Sequence, residues 1–201
     1  MHVHVDIRGV RLETERLILR PWTFTDLDDL NRYATDRDVG PMAGWQPHQS
    51  LTESKIILMS FINGRRTLAL EYKETGQVIG SIGIEPMPKH MGISFFHLRG
   101  NEIGYVLAKD MWGKGLMTEA VQRVIKYCFD ELKLDLLLCG HFVHNGRSAR
   151  VIQKSGFEFL KIVEYETQEG MIEPTKLYIL RANDYYAAQG ENRENAEWVP
   201  R

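Results

Sequence analysis

The 201-residue sequence predicts a single α/β domain of the α+β type, a mixed, mostly antiparallel twisted sheet flanked by helices. Three observations carry that reading. Short runs rich in branched residues recur along the chain, and most neighbouring runs are joined by tight turns, which favours antiparallel pairing. Between them lie segments with apolar residues at i, i+3, i+4 spacing, the mark of helices with one buried face. One glycine-punctuated loop, Asp110-Met111-Trp112-Gly113-Lys114-Gly115-Leu116-Met117-Thr118, joins a strand-like run to the strongest helical segment.

In chain order, residues 15 to 20 (Glu-Arg-Leu-Ile-Leu-Arg) read as a short strand. Thr25 and Asp28 then have capping-box spacing for a helix carrying Leu27, Leu30, Tyr33 and Ala34. A Gly/Pro-rich loop from Gly40 to Gln49 leads to a second capping box, Ser50 and Glu53, for a helix through Ile56, Ile57, Phe61 and Ile62. The runs Thr67 to Tyr72 and Val78 to Ile84 flank Glu74-Thr75-Gly76-Gln77, a hairpin turn. Residues 86 to 100 form a long apolar loop with Phe95 and Phe96. Glu102 to Leu107 is a strand feeding the glycine loop, and Met117, Ala120, Val121, Val124, Ile125, Cys128 and Leu132 share one helical face beyond it. Leu136 to Phe142 reads as a buried strand and Ser148 to Lys154 as a short helix. Phe157 to Thr167 and Thr175 to Leu180 read as a closing hairpin around Glu169-Gly170.

Residues 1–189 are expected to form the domain and 190–201 a polar tail. The length is enough to bury a core without staples. A formal charge of −2 leaves no basic footprint for nucleic acid. Cys128, on a helical apolar face, and Cys139, in an apolar strand, read as buried thiols of a reducing compartment. With no apolar run of membrane-span length and no apolar leader after Met1, the expected location is cytoplasmic, away from membranes.

The glycine loop is suited to an anion. Glycines allow a tight turn and close backbone approach, and the helix after them offers unpaired N–H groups and a positive dipole end. Two nucleotide motifs fail. A Walker pattern needs a glycine where Ala108 stands and a Ser or Thr where Gly115 stands; a dinucleotide fingerprint needs a glycine where Thr118 stands.

Further motifs fall in a recognisable order. They are Glu13-Thr14-Glu15-Arg16-Leu17-Ile18-Leu19-Arg20-Pro21-Trp22, Ile79-Gly80-Ser81-Ile82-Gly83, Trp112-Gly113-Lys114-Gly115, Asn145-Gly146-Arg147-Ser148 and Gly156-Phe157. With them the chain resembles the GNAT superfamily of acyl-CoA-dependent N-acetyltransferases, in the branch containing RimJ and RimL, from Leu12 to about Tyr185. The resemblance implies a single-domain GNAT fold, acetyl-CoA as acetyl donor and direct transfer to a primary amine. It implies that a splayed strand exposes backbone groups of Tyr105, Val106 and Leu107 to the pantetheine arm. The loop from Trp112 through Gly113, Lys114, Gly115, Leu116 and Met117 to Thr118 is then implied to hold the pyrophosphate. Two positions depart from the pattern: Asp110 stands where many members carry Gln or Arg, and Ile152 where other branches carry a proton-donating Tyr.

Acetyl transfer needs a neutral amine, donors for the developing oxyanion and a route for protonating the departing thiolate. Glu102 lies roughly 23 Å up the strand from Lys109 at about 3.3 Å per residue, where the reactive end of an extended cofactor would fall. It is the expected general base, alone or through water; a charged residue that only starts a strand is the competing reading. Ser148 is the expected hydroxyl for the sulfur, and Asn145 the expected contact to the pantetheine or cap for the short helix. His141 is a weaker candidate base. Trp45, Phe95 and Phe96 are expected at the acceptor pocket, with ordinary core packing as the alternative. No metal site is expected, because His141 and His144 lack an acidic ligand at metal spacing. The acceptor would be a protein N-terminus or a small-molecule amine, and exposed strand edges permit a homodimer. A non-catalytic acyl-CoA-binding sensor or scaffold is the competing function.

Overall fold

In the computed structural model, which describes residues 3–88, 95 and 97–190, eight strands form one sheet. The strands are β1 (Leu12–Glu13), β2 (Leu17–Pro21), β3 (Thr67–Tyr72), β4 (Val78–Pro86), β5 (Gly100–Leu107), β6 (Leu136–Phe142), β7 (Glu158–Glu166) and β8 (Ile172–Arg181). Their order is β1-β2-β3-β4-β5-β6-β8-β7. Every pair is antiparallel except β5–β6. Five α-helices accompany them: α1 (Leu27–Ala34), α2 (Leu51–Gly64), α3 (Leu116–Asp130), α4 (Gly146–Lys154) and α5 (Ala182–Ala188).

The parallel pair follows from the length of α3, since strands running the same way need a crossover and fifteen helical residues supply one. That helix buries Leu116, Met117, Ala120, Val121, Val124, Ile125 and Cys128 on the face the spacing predicts. β6 is apolar from Leu136 to Cys139 because both its faces are covered. Leu137 and Cys139 join the main core, whereas Leu136 and Leu138 meet Leu177 and Ile179 in a second cluster on the other face.

β5 and β6 pair only at their beginnings, Gly100–Ile103 against Leu136–Cys139. Gly104–Leu107 and Gly140–Phe142 run on without pairing to each other, so the two strands splay into a fork. β5 keeps β4 on its outer side as far as Leu107, and β6 keeps β8 as far as Phe142, so each prong stays rigid.

Several boundaries differ from the sequence expectation. The first cap is Thr23 with Asp26: the Asp26 carboxylate accepts from the Thr23 backbone N–H at 2.8 Å and from Arg20 Nη1 at 2.8 Å. Arg20 thus draws the acid inward, and a three-residue 3-10 turn, Phe24–Asp26, precedes α1. Ser50 accepts from Glu53 N–H as expected, but Glu53 reaches back to the Gln49 N–H at 2.6 Å. In α2 the buried positions are Ser54 and Leu58, and Ile56 is 62% exposed. α4 begins at Gly146, earlier than Ser148, with Asn145 as its N-cap. Of the apolar loop at 86 to 100, residues 89–94 and 96 lie outside the described residues, as do 191–201 of the polar tail.

Candidate active site

A cleft of about 500 Å³ opens at the fork. It runs from the glycine loop and the start of α3, between the prongs of β5 and β6 and beside α4, to Glu85, Glu102, Tyr165 and Thr175. At its first end Gly113 and Gly115 take φ of 78° and 79°, a left-handed conformation that favours glycine. Gly115 caps α3, and the first i→i−4 bond is made by Glu119 N–H to the Gly115 carbonyl at 3.1 Å. The amides of Leu116, Met117 and Thr118 therefore precede the helical ladder, and the three residues line the cleft, an arrangement suited to a phosphate.

Arg16, in the turn before β2, fixes this loop from behind. Its Nε donates to Glu119 Oε2 at 2.8 Å, its backbone N–H to Glu119 Oε1 at 2.9 Å, and its Nη1 to the Lys114 carbonyl at 2.9 Å. The Lys114 side chain does not line the cleft and reaches Met111 Sδ at 3.3 Å. Trp112 does line it; its indole N–H donates to the Leu107 carbonyl at 2.8 Å, and Arg147 lies 4.6 Å from the centre of its ring. Arg147, Arg150 and Lys154 are spaced to share one side of α4 and all line the cleft. Only Arg147 was part of a motif. The i, i+3, i+7 spacing was the readable signal for the other two.

Midway along, Tyr105 reaches across the fork. Its hydroxyl lies 2.8 Å from Ser148 Oγ and 3.3 Å from the Ser148 carbonyl. Burial pushes this phenol well above the usual tyrosine range, and the buried Cys139 thiol, beside it, is raised for the same reason. Asn145 accepts from the Ser148 N–H at 3.1 Å and donates to the Met42 carbonyl at 3.2 Å, tying α4 to the 3-10 turn Gly40–Ala43. That turn carries Met42 and Ala43 to the cleft wall.

At the far end stands Glu102, on the same face of β5 as Gly104 and in register opposite Glu85 on β4. A Cβ placed on Gly140 would lie 3.8 Å from Glu102 Oε1, so the carboxylate reaches towards the β6 prong. Burial, and secondarily the charge of Glu85, pushes its pKa up to about 7. A carboxylate so raised is half ionised near neutrality, which suits proton exchange with an amine.

His141 is oriented differently. Its Nδ1 donates to the Phe142 carbonyl at 2.7 Å and its Nε2 lies 3.2 Å from the Tyr178 hydroxyl, so both ring nitrogens are engaged by neighbours. Trp45 and Phe95 do not line the cleft. Trp45 packs on the main core beside His48 and so close to Gly40 that a Cβ there would lie 2.5 Å from its ring; it buttresses the turn bearing Met42. Phe95 packs against the second cluster. Phe96 lies outside the described residues. The end of the cleft around Glu102 is instead lined by Glu85, Tyr165, Thr175, Phe142 and Met42, which sequence reasoning missed because they come from five separate segments. Among the described residues no three His, Cys, Asp or Glu side chains gather as metal ligands, and no helix is long and apolar enough to cross a membrane.

Comparison with known proteins agrees with this geometry. Residues 16–158 match the family model described as an acetyltransferase (GNAT) domain. The chain is 27% identical over 180 residues to the uncharacterized N-acetyltransferase p20 of Bacillus licheniformis, covering 87% of this chain and 97% of that one. It is 26% identical over 166 residues to the ribosomal protein uS5-alanine N-acetyltransferase of Escherichia coli, covering 76% and 80%. A GNAT-family acetyltransferase crystal structure from Bacillus anthracis superposes with a TM-score of 0.74 at 20% identity, over 86% of this chain and 99% of that one. With the match covering most of the sequence and a fork of this form at its centre, the chain belongs to the GNAT family of N-acetyltransferases, enzymes that take their acetyl group from acetyl-CoA.

Proposed function

We propose that this protein transfers the acetyl group of acetyl-CoA directly to a primary amine, with Glu102 as general base. The observation that carries the reading is the carboxylate of Glu102, held near pKa 7 in the cleft at the end opposite the glycine loop. In this arrangement the amides of Leu116, Met117 and Thr118 and the glycine turn hold the pyrophosphate, assisted by Trp112. The pantetheine arm lies in the fork along Tyr105, Val106 and Leu107, with Asn145 on its α4 side. The thioester then falls between Gly104 and Gly140.

Each step follows from the groups present. The acceptor arrives as an ammonium ion, drawn by the acidic pair Glu85 and Glu102, and loses a proton to Glu102 directly or through water. The neutral nitrogen attacks the thioester carbonyl, the new C–N bond forms, and the C–S bond breaks. Sulfur departs as a thiolate stabilised by the Ser148 hydroxyl and afterwards takes a proton from solvent. No covalent enzyme intermediate is required. Both cysteines are buried with thiols pushed well above their usual range, which argues against a thiol relay.

For the acceptor, the similarity to a ribosomal protein uS5-alanine N-acetyltransferase supports a protein N-terminus, and the acidic end of the cleft suits a small-molecule amine equally. CoA release measured over a panel of alanine-started peptides, polyamines and free amino acids tests this. Turnover with at least one amine, lowered about a hundredfold or more in Glu102→Gln, is expected. Full turnover in that variant would overturn the role of Glu102.

A further inference from the structure

We infer that Tyr105 is a positioning residue for the leaving-group step, directing the proton of Ser148 into the cleft. The inference rests on the role proposed above for Ser148. Tyr105 projects from the β5 prong and Ser148 from the first turn of α4, and their oxygens meet at 2.8 Å where both residues line the cleft.

The hydroxyls hold one proton each, and this limits the arrangements. The Ser148 carbonyl, 3.3 Å from the phenol, only accepts. In one arrangement Ser148 donates to the phenol oxygen and the phenol donates to that carbonyl or to the Cys139 sulfur beside it, which leaves no proton for the cleft. In the other, Tyr105 donates to Ser148 Oγ over the shorter contact, and the serine proton is free to point at the sulfur. A developing thiolate selects the second. The phenol then polarises the serine hydroxyl in the same direction, strengthening its bond to sulfur.

The surroundings suit this division of labour. Burial keeps Tyr105 protonated across the working pH range, so it remains a donor and is not itself consumed. Ser148 cannot drift, because Asn145 holds its backbone N–H at 3.1 Å and is anchored in turn to Met42. Throughout the reaction the proton of Tyr105 stays on its oxygen, the amine proton goes to Glu102, and sulfur takes its final proton from solvent.

Kinetics of Tyr105→Phe, Ser148→Ala and the double variant with acetyl-CoA and a working amine test the inference. Each single variant should lower kcat about ten- to hundredfold, the range for one hydrogen bond to a charged group, with KM for acetyl-CoA within about twofold of the parent. The double variant should be no slower than Ser148→Ala alone. Multiplying losses, or a Tyr105→Phe enzyme at the parent rate beside an impaired Ser148→Ala, would overturn the role of Tyr105. A fully active Ser148→Ala would instead remove the leaving-group reading beneath it. If Tyr105→Phe melts below the assay temperature, a ring-fluorinated tyrosine at 105 keeps the shape and strengthens the donor. Its kcat should hold or rise, and a fall would overturn the inference.

Discussion

Glu85 and Glu102 stand directly opposite each other across the β4–β5 ladder, two carboxylates sharing one end of the cleft. Their surroundings differ. Glu85 Oε2 lies 3.3 Å from Arg66 Nε, whereas Glu102 meets no cation among the described residues. Ionisation of Glu102 is therefore disfavoured, first by burial and then by its neighbour, and its pKa rises to about 7. A general base works only when deprotonated, so kcat/KM should rise with pH through about 7. Glu102→Gln should lower kcat by about 10²–10⁴-fold and abolish that limb, measured as CoA release from pH 5 to 9. A surviving limb at the same pH would assign the base elsewhere.

Removing the neighbouring charge should move the limb without removing the base. In Glu85→Gln the Coulombic opposition to ionising Glu102 is gone, so its pKa falls and the limb should shift to lower pH. Arg66→Ala should do the reverse, because Glu85 then keeps its full charge. The shifts should be opposite in sign and a few tenths of a pH unit or more, with maximal kcat within about threefold of the parent, since water partly screens a pair facing a cleft. Shifts of the same sign would show that the two residues act through cofactor or acceptor binding.

Much of this was legible in the sequence. α3 was readable because its buried face repeats without interruption from Leu116 to Cys128, and β6 because Leu136 to Phe142 is apolar at almost every position. The fork was not, since nothing local marks where β5 stops pairing with β6; each strand runs on against its outer neighbour, β4 or β8, which lies far away in the sequence. Trp45 and Phe95 looked like recognition residues because aromatic side chains in loops carry no periodicity to place them, and both pack into cores. Tyr105 was assigned through its backbone. Its side chain matters because Ser148, 43 residues later, lies within hydrogen-bond reach.

Arg16 makes a prediction remote from the chemistry. It braces the glycine loop through Glu119 and the Lys114 carbonyl, and its guanidinium lies 3.6 Å from where a Cβ on Gly115 would stand. Arg16→Ala should loosen the amides of Leu116 to Thr118. KM for acetyl-CoA should rise about five- to thirtyfold, as expected for a loss of about 1–2 kcal/mol in binding, with kcat nearly unchanged. A fall in kcat at constant KM would contradict a purely supporting role.

The raised pKa of Glu102 also carries a stability cost with a definite pH dependence. Between the usual carboxylate range and about 7 the folded protein holds a proton at Glu102 that the unfolded chain has released. Stability must therefore fall as pH rises through that window and level off above it. The full displacement is worth at most about 3.5 kcal/mol, and solvent in the cleft reduces it. Glu102→Gln keeps the shape and removes the ionisation. Its Tm should match the parent near pH 4.5, where the native carboxyl is neutral, and exceed it by roughly 2–6 °C at pH 8, at about 2–4 °C per kcal/mol for a domain of this size. The activity loss and the stability gain would then share one origin, a carboxylate kept partly dehydrated so that it can accept a proton near neutral pH. Parallel melting curves for the two proteins from pH 4.5 to 8 would show that Glu102 ionises as freely in the fold as in the unfolded chain, and would remove the basis for its role as a base tuned to neutrality.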